Sequence, residues 1–398
     1  MTLTLGIFGT GVMGQRHIRG LGRLRQVGRL RFDLAGVCDL VPESAQRAAD
    51  LAEEQLGYRP ALYPSFEAMQ QAVGQLDAIL ITTSPAMHVS LGIQALQAGV
   101  NVMVEKPIAL TVRQGQRLTQ AAAQTGKRLA VAENYRRDPI NRLARALIDA
   151  GVLGRPFLAV QSSSGSGENV IITPWRHLRR SCGIVIDMGV HYADILEYLL
   201  GPIDCLSGMN AVVDRQRRGS DGKAYPADAE DLSVGVAHFQ NGALANWLLS
   251  MAGRGTGHFS RIVYGTGGSL TIPPDRTGQS LQLTLRRDGK DTPIPVTELP
   301  ALVPGFALDA ATAALFGGER LTSYSLPWTD IDAGLLAIEH DDFASAILDG
   351  RPPEVRGEEG LRALAMSYGF LESERLGRTV RMDELLSGAI SAYQDELE

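Results

Sequence analysis

The sequence predicts an α/β protein in two parts: an N-terminal doubly wound parallel sheet, then a C-terminal α/β domain with a large, mostly antiparallel open sheet. Three observations carry this reading. Short, wholly apolar runs alternate with helical stretches over the first third, and a glycine-rich loop joins the first run to the first helix. After about residue 135 the rhythm changes to β-rich segments joined by tight-turn pairs. Apolar strands alternating with helices imply a parallel sheet covered on both faces; hairpin pairs imply antiparallel neighbours. The 398 residues suit two domains of roughly 100–200 residues or somewhat more, divided here as 1–134 and 135–398.

Residues 3–8 read as the first strand and 12–21 as the first helix; 32–38 and 42–55 repeat the pair. Strands follow at 76–82 and 100–104 around a helix at 86–98, and a helix at 111–125 with a strand at 128–132 completes the first unit. A helix at 140–150 stops at Gly151, and strands are read at 156–163, 232–239, 243–250, 259–264, 269–272 and 281–286. Asn241-Gly242, Gly267-Gly268 and Asp288-Gly289 favour the positive φ angles of hairpin turns. A helix at 188–200 interrupts this run early, and helices at 331–348 and 358–376 follow it. Residues 214–231 are polar and read as a surface loop, while 292–327 are proline-rich without a period and receive no assignment.

Hydrophobic residues at 44% and charged residues at 21% permit sizeable cores and exclude a largely disordered chain. A net charge of -6 argues against a nucleic-acid partner, which calls for a basic face. Cys38, Cys182 and Cys205 are too few and too scattered for a disulfide framework or a thiolate metal site. No metal is expected. From Met1 to Phe8 there is no basic start or cleavage site of a signal peptide, and no apolar run reaches the roughly 18–20 residues of a membrane span. A cytoplasmic protein without a membrane partner is expected.

Gly9-Thr10-Gly11-Val12-Met13-Gly14 follows the first strand and opens a helix. Such a loop gains meaning from that setting. Gly9 permits the tight turn, Gly11 lets a pyrophosphate approach the backbone, and Gly14 lets helix and strand pack closely. The helix N-terminus offers free N–H groups to phosphates. Asp39 ends the next strand, where a carboxylate accepts from ribose hydroxyls and repels a 2′-phosphate. These features predict a Rossmann domain binding NAD. NADP is the less favoured alternative, since Arg47 stands near enough to meet a phosphate, and an ordinary βα turn with a solvated aspartate is the bland one.

Lysine occurs only at 106, 127, 223 and 290. Lys106 lies in Glu105-Lys106-Pro107, directly after a predicted strand, and ligands of open parallel sheets bind beyond the carboxyl ends of the strands. The loop Thr82-Thr83-Ser84 ends another strand and offers hydroxyls; His88, early in the next helix, is a contact or a packing residue. Further on, Asp187 and His191 are four apart and share a helix face if the helix begins near Asp187, with Asp194 on roughly the same face. A carboxylate beside an imidazole fixes its tautomer and suits a general base titrating near neutrality. Asp187 as a helix cap and His191 as a satisfied core histidine are the alternatives.

Taken in order, these signals resemble the glucose–fructose oxidoreductase and inositol dehydrogenase (Gfo/Idh/MocA) family. The resemblance rests on the glycine loop, on Ala95-Leu96-Gln97-Ala98-Gly99 leading to Glu105-Lys106-Pro107, and on Asn134-Tyr135-Arg136 with Pro139. Asp187-Met188-Gly189-Val190-His191 and Asp342-Phe343 with Ala346-Ile347 extend it. It implies Lys106, Asp187 and His191 as catalytic residues. It places Trp175 and Arg176 near the substrate crevice with Tyr135 and Arg136, and Glu105 and Asn134 with the cofactor. Where the family often has three glycines before the aspartate, this chain has Ser181-Cys182-Gly183. The expected activity is hydride transfer between NAD and a secondary alcohol of a sugar, glycoside or cyclitol, in a homo-oligomer formed through the open face of the second sheet. A redox-neutral glycoside-processing enzyme with retained NAD, or a non-catalytic dinucleotide sensor, would use the same fold.

Overall fold

Residues 2–397 are described by a computed structural model; Met1, which the signal-peptide argument began from, and Glu398, the last residue of the 135–398 unit, lie outside the described residues. The first unit runs β1 (Leu3–Phe8), α1 (Val12–Gln26), β2 (Phe32–Cys38), α2 (Pro42–Leu56), β3 (Ala61–Leu62), α3 (Phe66–Val73), β4 (Ala78–Ile81), α4 (Pro85–Gln97), β5 (Asn101–Glu105), α5 (Val112–Thr125) and β6 (Leu129–Ala132). All pairs are parallel in the order β3-β2-β1-β4-β5-β6, so strand order reverses between β1 and β4 and a crevice opens beyond their carboxyl ends. Leu5, Ile7, Ile79, Leu80, Ile81 and Val102 are fully buried, as strands covered on both faces require.

α1 continues to Gln26, past the expected end at residue 21. Glycines 20 and 22 weaken the helical signal, but both are packing devices. A Cβ on Gly20 would lie 3.1 Å from the backbone N of Ala337, and one on Gly22 would lie 2.6 Å from the Gln55 side chain. Neighbouring helices therefore sit closer than side chains would allow.

The chain then forms α6 (Pro139–Asp149), β7 (Pro156–Ser166), α7 (Ile184–Leu200), β8 (Ile203–Ala211), the short hairpin β9 (Gln216–Arg218) and β10 (Ala224–Pro226), β11 (Leu232–Phe239) and β12 (Leu244–Gly253). β13 (His258–Gly265), β14 (Gly268–Ile272), β15 (Gln282–Arg287), β16 (Lys290–Ile294), α8 (Leu299–Leu302), α9 (Ala310–Phe316), α10 (Trp328–Leu348), α11 (Gly357–Leu376) and β17 (Val380–Arg381) follow. The large sheet runs β16-β15-β14-β13-β7-β12-β11-β8-β17, antiparallel except for the parallel β7–β12 pair. α7 and α11 cover one face: Trp247 of β12 stacks on Phe370 with ring centroids 4.8 Å apart.

Three differences from the sequence reading have physical causes. β8 went unread because Cys205, Ser207 and Gly208 blur its alternation. Residues 214–231 are more than a surface loop: the buried Arg217 guanidinium donates to Asp231 and to the carbonyls of Gly167 and Met251. The unassigned stretch from 292 completes a hairpin, in which Asp288 and Gly289 take φ of 50° and 75° and turn β15 into β16. Finally, α10 returns to the first sheet, where Phe343 shares a core with Leu3, Leu5, Ile18 and Phe32.

Candidate active site

A cleft of about 770 Å³ follows the carboxyl ends of the first sheet and ends against α7; Gly9, Gly11, Val12, Met13, Asp39, Thr82, Thr83, Ser84, Glu105, Lys106, Trp175, Arg176 and Asp187 line it. A second hollow of about 570 Å³, by Arg29, Arg142 and Arg351, shares none of these residues, and its guanidiniums are paired with Asp341, Glu354 and Asp342.

At the near end each loop glycine has a distinct geometry. Gly9 holds φ at +88°, and a Cβ there would meet the Thr83 backbone N at 2.6 Å. A Cβ on Gly14 would stand 2.3 Å from the Gly9 carbonyl oxygen. A Cβ on Gly11 would meet nothing within 4 Å and would project into the cleft. Gly11 also caps α1 without any side-chain hydrogen bond, which leaves the helix's first N–H groups for an anion. Asp39 Oδ2 accepts from the Thr10 N–H at 2.6 Å and the Thr10 hydroxyl at 3.1 Å, while Oδ1 accepts from the Val41 N–H at 2.9 Å. Its carboxylate is thus locked at the cleft edge beside Leu40, which is 92% exposed. The Thr82 hydroxyl donates to the Gly9 carbonyl and ties β4's end to the loop. A bare backbone cradle, a fixed carboxylate and a helix N-terminus suit a dinucleotide.

At the far end, Lys106 leaves β5 and its Nζ donates to the Asp187 carbonyl at 2.8 Å and to Asp187 Oδ1 at 3.2 Å. Arg176, lying over the Trp175 ring, donates to the same Oδ1. Burial pushes the Asp187 carboxyl up, but Lys106 and Arg176 outweigh it and hold it at about 2. Asp187 sits in the first turn of α7, which Gly183 caps with φ +78°, so the helix starts earlier than read and Asp187 is not its cap. Cys182 takes the left-handed conformation, at φ +89°, that a glycine would relieve.

The expected Asp187–His191 hydrogen bond does not form. His191 Nδ1 lies 2.8 Å from both oxygens of Glu133, just past the end of β6, and the Tyr135 ring stacks on the imidazole at 4.1 Å and 6°. Asp187 faces the two cations instead. The expected neutral titration of His191 is also overturned: burial, then Lys106 and Arg276, push it well below its ordinary value. Burial raises Glu133 to about 7, against the Tyr135 N–H and Lys106.

Other expected site residues lie behind the cleft wall. His88 is 1% exposed, its ring nitrogens 2.9 Å from the Pro107 carbonyl and 3.1 Å from that of Thr83; it braces two loops from within and does not reach the cleft. Asn134 accepts from Arg276 at 2.8 Å, and Arg136 is buried in a bidentate pair with Asp194. Asp194 therefore serves Arg136 and not the histidine. Glu133, Arg276 and His17, whose Nε2 lies 3.1 Å from Glu105, were missed. Glu133 carried a readable signal: it stands at a strand's carboxyl end like Asp39 and Lys106. Arg276 and His17 carried none.

The sequence pattern of an oxidoreductase family with an NAD-binding Rossmann fold matches residues 3–133, and that of the same family's C-terminal alpha/beta domain matches 145–382. The chain is 28% identical to a D-apiose dehydrogenase of Paraburkholderia graminis, over 89% of this chain and 84% of that one. It is 25% identical to a 1,5-anhydro-D-fructose reductase of Ensifer adhaerens, over 90% and 94%. It is 26% identical to a scyllo-inositol 2-dehydrogenase (NAD(+)) of Bacillus subtilis, over 67% and 72%. Among solved structures, a levoglucosan dehydrogenase in complex with NADH and levoglucosan shares the fold, with a TM-score of 0.75 at 20% identity over 96% of this chain and 100% of that one.

Proposed function

The chain belongs to the Gfo/Idh/MocA oxidoreductase family, uses NAD and acts on CH–OH groups; from that premise we propose how its residues divide the work. The observation that carries the reading is a single cleft joining the glycine loop and Asp39 to Lys106 and Asp187. We assign residues 1–134 to cofactor binding and 135–398 to substrate binding and catalysis, with Gly9 to Gly14, Asp39, Thr82 to Ser84 and Glu105 on the cofactor. NAD, when bound, supplies the hydride acceptor. The substrate is a secondary alcohol of a sugar, glycoside or cyclitol, as the names of the relatives suggest.

Lys106 is the group that stabilises oxygen charge as the alcohol loses its proton. Its ammonium is fixed by Asp187, whose carboxylate stays ionised at any working pH. Arg176 and Trp175 form the substrate wall, a guanidinium and an aromatic face suited to a polyhydroxylated ring. His191, one turn beyond Asp187, takes the hydroxyl proton. The redox-neutral and sensor readings are not favoured, because the named relatives are dehydrogenases and reductases. A screen of sugars and cyclitols, read by NADH absorbance, tests the assignment. Turnover that His191→Ala lowers by roughly 10²–10⁴ is expected; an alanine variant that folds, binds NAD and turns over normally removes His191 from the mechanism.

The open face of the second sheet supports a homo-oligomer. Met209, Val234, Val236 and Leu244, on adjacent strands, are 76%, 46%, 57% and 51% exposed, an apolar patch that invites a second copy. Light scattering of wild type and Val236→Glu tests this: a dimer or larger that the charge disrupts is expected, and a wild-type monomer overturns it. No helix among the described residues is long and apolar enough to cross a membrane, and a cytoplasmic location accords with the sequence reading.

A further inference from the structure

We propose that Glu133 is the terminus for the substrate's proton, which it receives through His191: as the hydroxyl proton moves to His191 Nε2, the proton on Nδ1 moves to Glu133. The inference rests on the reading above, that His191 takes the hydroxyl proton.

The structure supplies the inner leg of such a relay, from His191 Nδ1 to Glu133. Both Glu133 oxygens stand 2.8 Å from Nδ1, so the carboxylate fixes the tautomer with the proton on Nδ1 and leaves Nε2 as the basic nitrogen. Nε2 has no hydrogen-bond partner among the described residues. The parallel Tyr135 ring covers one imidazole face, and the Tyr135 N–H, at 3.0 Å from Glu133 Oε1, holds the carboxylate in place. Burial first, and then the charges around the pair, favour the proton on Glu133 over the ring. An imidazolium would sit desolvated with Lys106 and Arg276 nearby, whereas a proton on Glu133 leaves a neutral acid and a neutral ring.

The step balances. The alcohol C–H leaves as hydride to NAD, its O–H proton goes to His191, the Nδ1 proton goes to Glu133, and a carbonyl remains. Lys106 does not compete as acceptor, because its ammonium is committed to the Asp187 carboxylate and carbonyl. The second buried histidine chain, His340 to His17 to Glu105, is fully enclosed at His17 and stops at Glu105, so it offers no nitrogen to a substrate.

Several other charged groups act on this pair. Arg136 adds to Lys106 and Arg276; its partner Asp194, with Glu105, Asp187 and the buried Glu339, opposes them. Burial outweighs the cations and leaves Glu133 raised to about 7.

Two measurements test the proposal. The first needs no substrate: infrared spectroscopy of the NAD-bound protein, titrated across neutrality, against Glu133→Gln. A protonated-carboxyl band with a midpoint near 7 that the substitution abolishes is expected, with nitrogen NMR showing neutral His191 through the same range. A Glu133 carboxyl deprotonated at the ordinary carboxylate pH, or an imidazolium titrating at neutrality, overturns the proposal. The second uses the polyol that the screen identifies. Glu133→Gln keeps an acceptor for Nδ1–H yet cannot take the proton. It should lower kcat about 10²-fold with KM little changed, flatten the rise of oxidation rate through neutral pH, and turn a curved proton inventory linear. Glu133→Asp should recover part of the rate and the pH limb. Wild-type kcat and pH profile in Glu133→Gln would refute the relay. If no polyol turns over, the functional reading fails, and the infrared result still decides whether Glu133 holds the proton.

Discussion

Gly11→Ala separates what the fold needs from what the cofactor needs. Gly11 has φ −67° and ψ −152°, so a side chain is not excluded by backbone strain, and its Cβ would meet no protein atom within 4 Å. Without cofactor the substitution costs little. Alanine restricts the unfolded chain, worth about 0.4–1 kcal/mol, and caps a helix worse than glycine by a similar amount; the two nearly cancel, leaving a net change within about 0.5 kcal/mol. With NAD bound, the methyl occupies the space through which the pyrophosphate reaches the backbone. Overpacking typically costs about 1–3 kcal/mol, and 1.4 kcal/mol is tenfold in Kd, so affinity should fall roughly 5- to 140-fold. Gly14→Ala is the contrast: its Cβ would stand 2.3 Å from the Gly9 carbonyl oxygen, a backbone atom with no cheap escape, and about 1–3 kcal/mol of stability should be lost with or without NAD. Calorimetric titration with NAD and urea unfolding of the cofactor-free proteins measure both quantities. Wild-type NAD affinity in Gly11→Ala, or a loss of stability equal to that of Gly14→Ala, would refute the reasoning.

Three further outcomes are expected. The wild type should favour NAD over NADP at least tenfold in kcat/KM, about 1.4 kcal/mol, and Asp39→Asn, which keeps an acceptor for Thr10 but loses the charge, should narrow the gap; a wild type that uses NADP better contradicts the role of Asp39. Lys106→Met should lower kcat about 10²–10³-fold while calorimetry finds NAD binding within a few-fold of wild type, and simple failure to bind NAD would remove the catalytic role. Asp187 titrates at about 2 in the folded protein against 3.8 unfolded, so its ionisation contributes about 2 kcal/mol of stability above pH 4 that is lost as pH falls through 2. The fall in melting temperature over that window should be shallower in Asp187→Asn, and an identical acid limb in both proteins would show that the carboxylate is not held by Lys106 and Arg176.

Local features told most of the cofactor end from sequence alone. A glycine loop between a strand and a helix, an aspartate at the next strand's end and a lysine after β5 are short-range patterns, and short-range backbone geometry places them wherever the sheet forms. The alternation of apolar runs and helices carried the first sheet, and turn pairs such as Asp288-Gly289 carried the hairpins; β8 escaped because small and polar residues broke its alternation. Partnerships between distant segments were another matter. Helical spacing put Asp187 and His191 on one face, but it could not say what that face meets. Glu133 lies 58 residues before His191 in the chain, and only the docking of α7 against the end of β6 brings its carboxylate to the ring. The same docking buries Arg136 against Asp194; Asn134 meets Arg276 from beyond β14, and His88 is enclosed within the first unit by the carbonyls of Pro107 and Thr83. The docking also reverses the electrostatics, since a histidine expected to titrate near neutrality is desolvated beside two cations while a carboxylate is raised to about 7 in its place. Sequence fixes residue types and local faces; burial and the neighbours that burial selects decide which of those groups carries the charge.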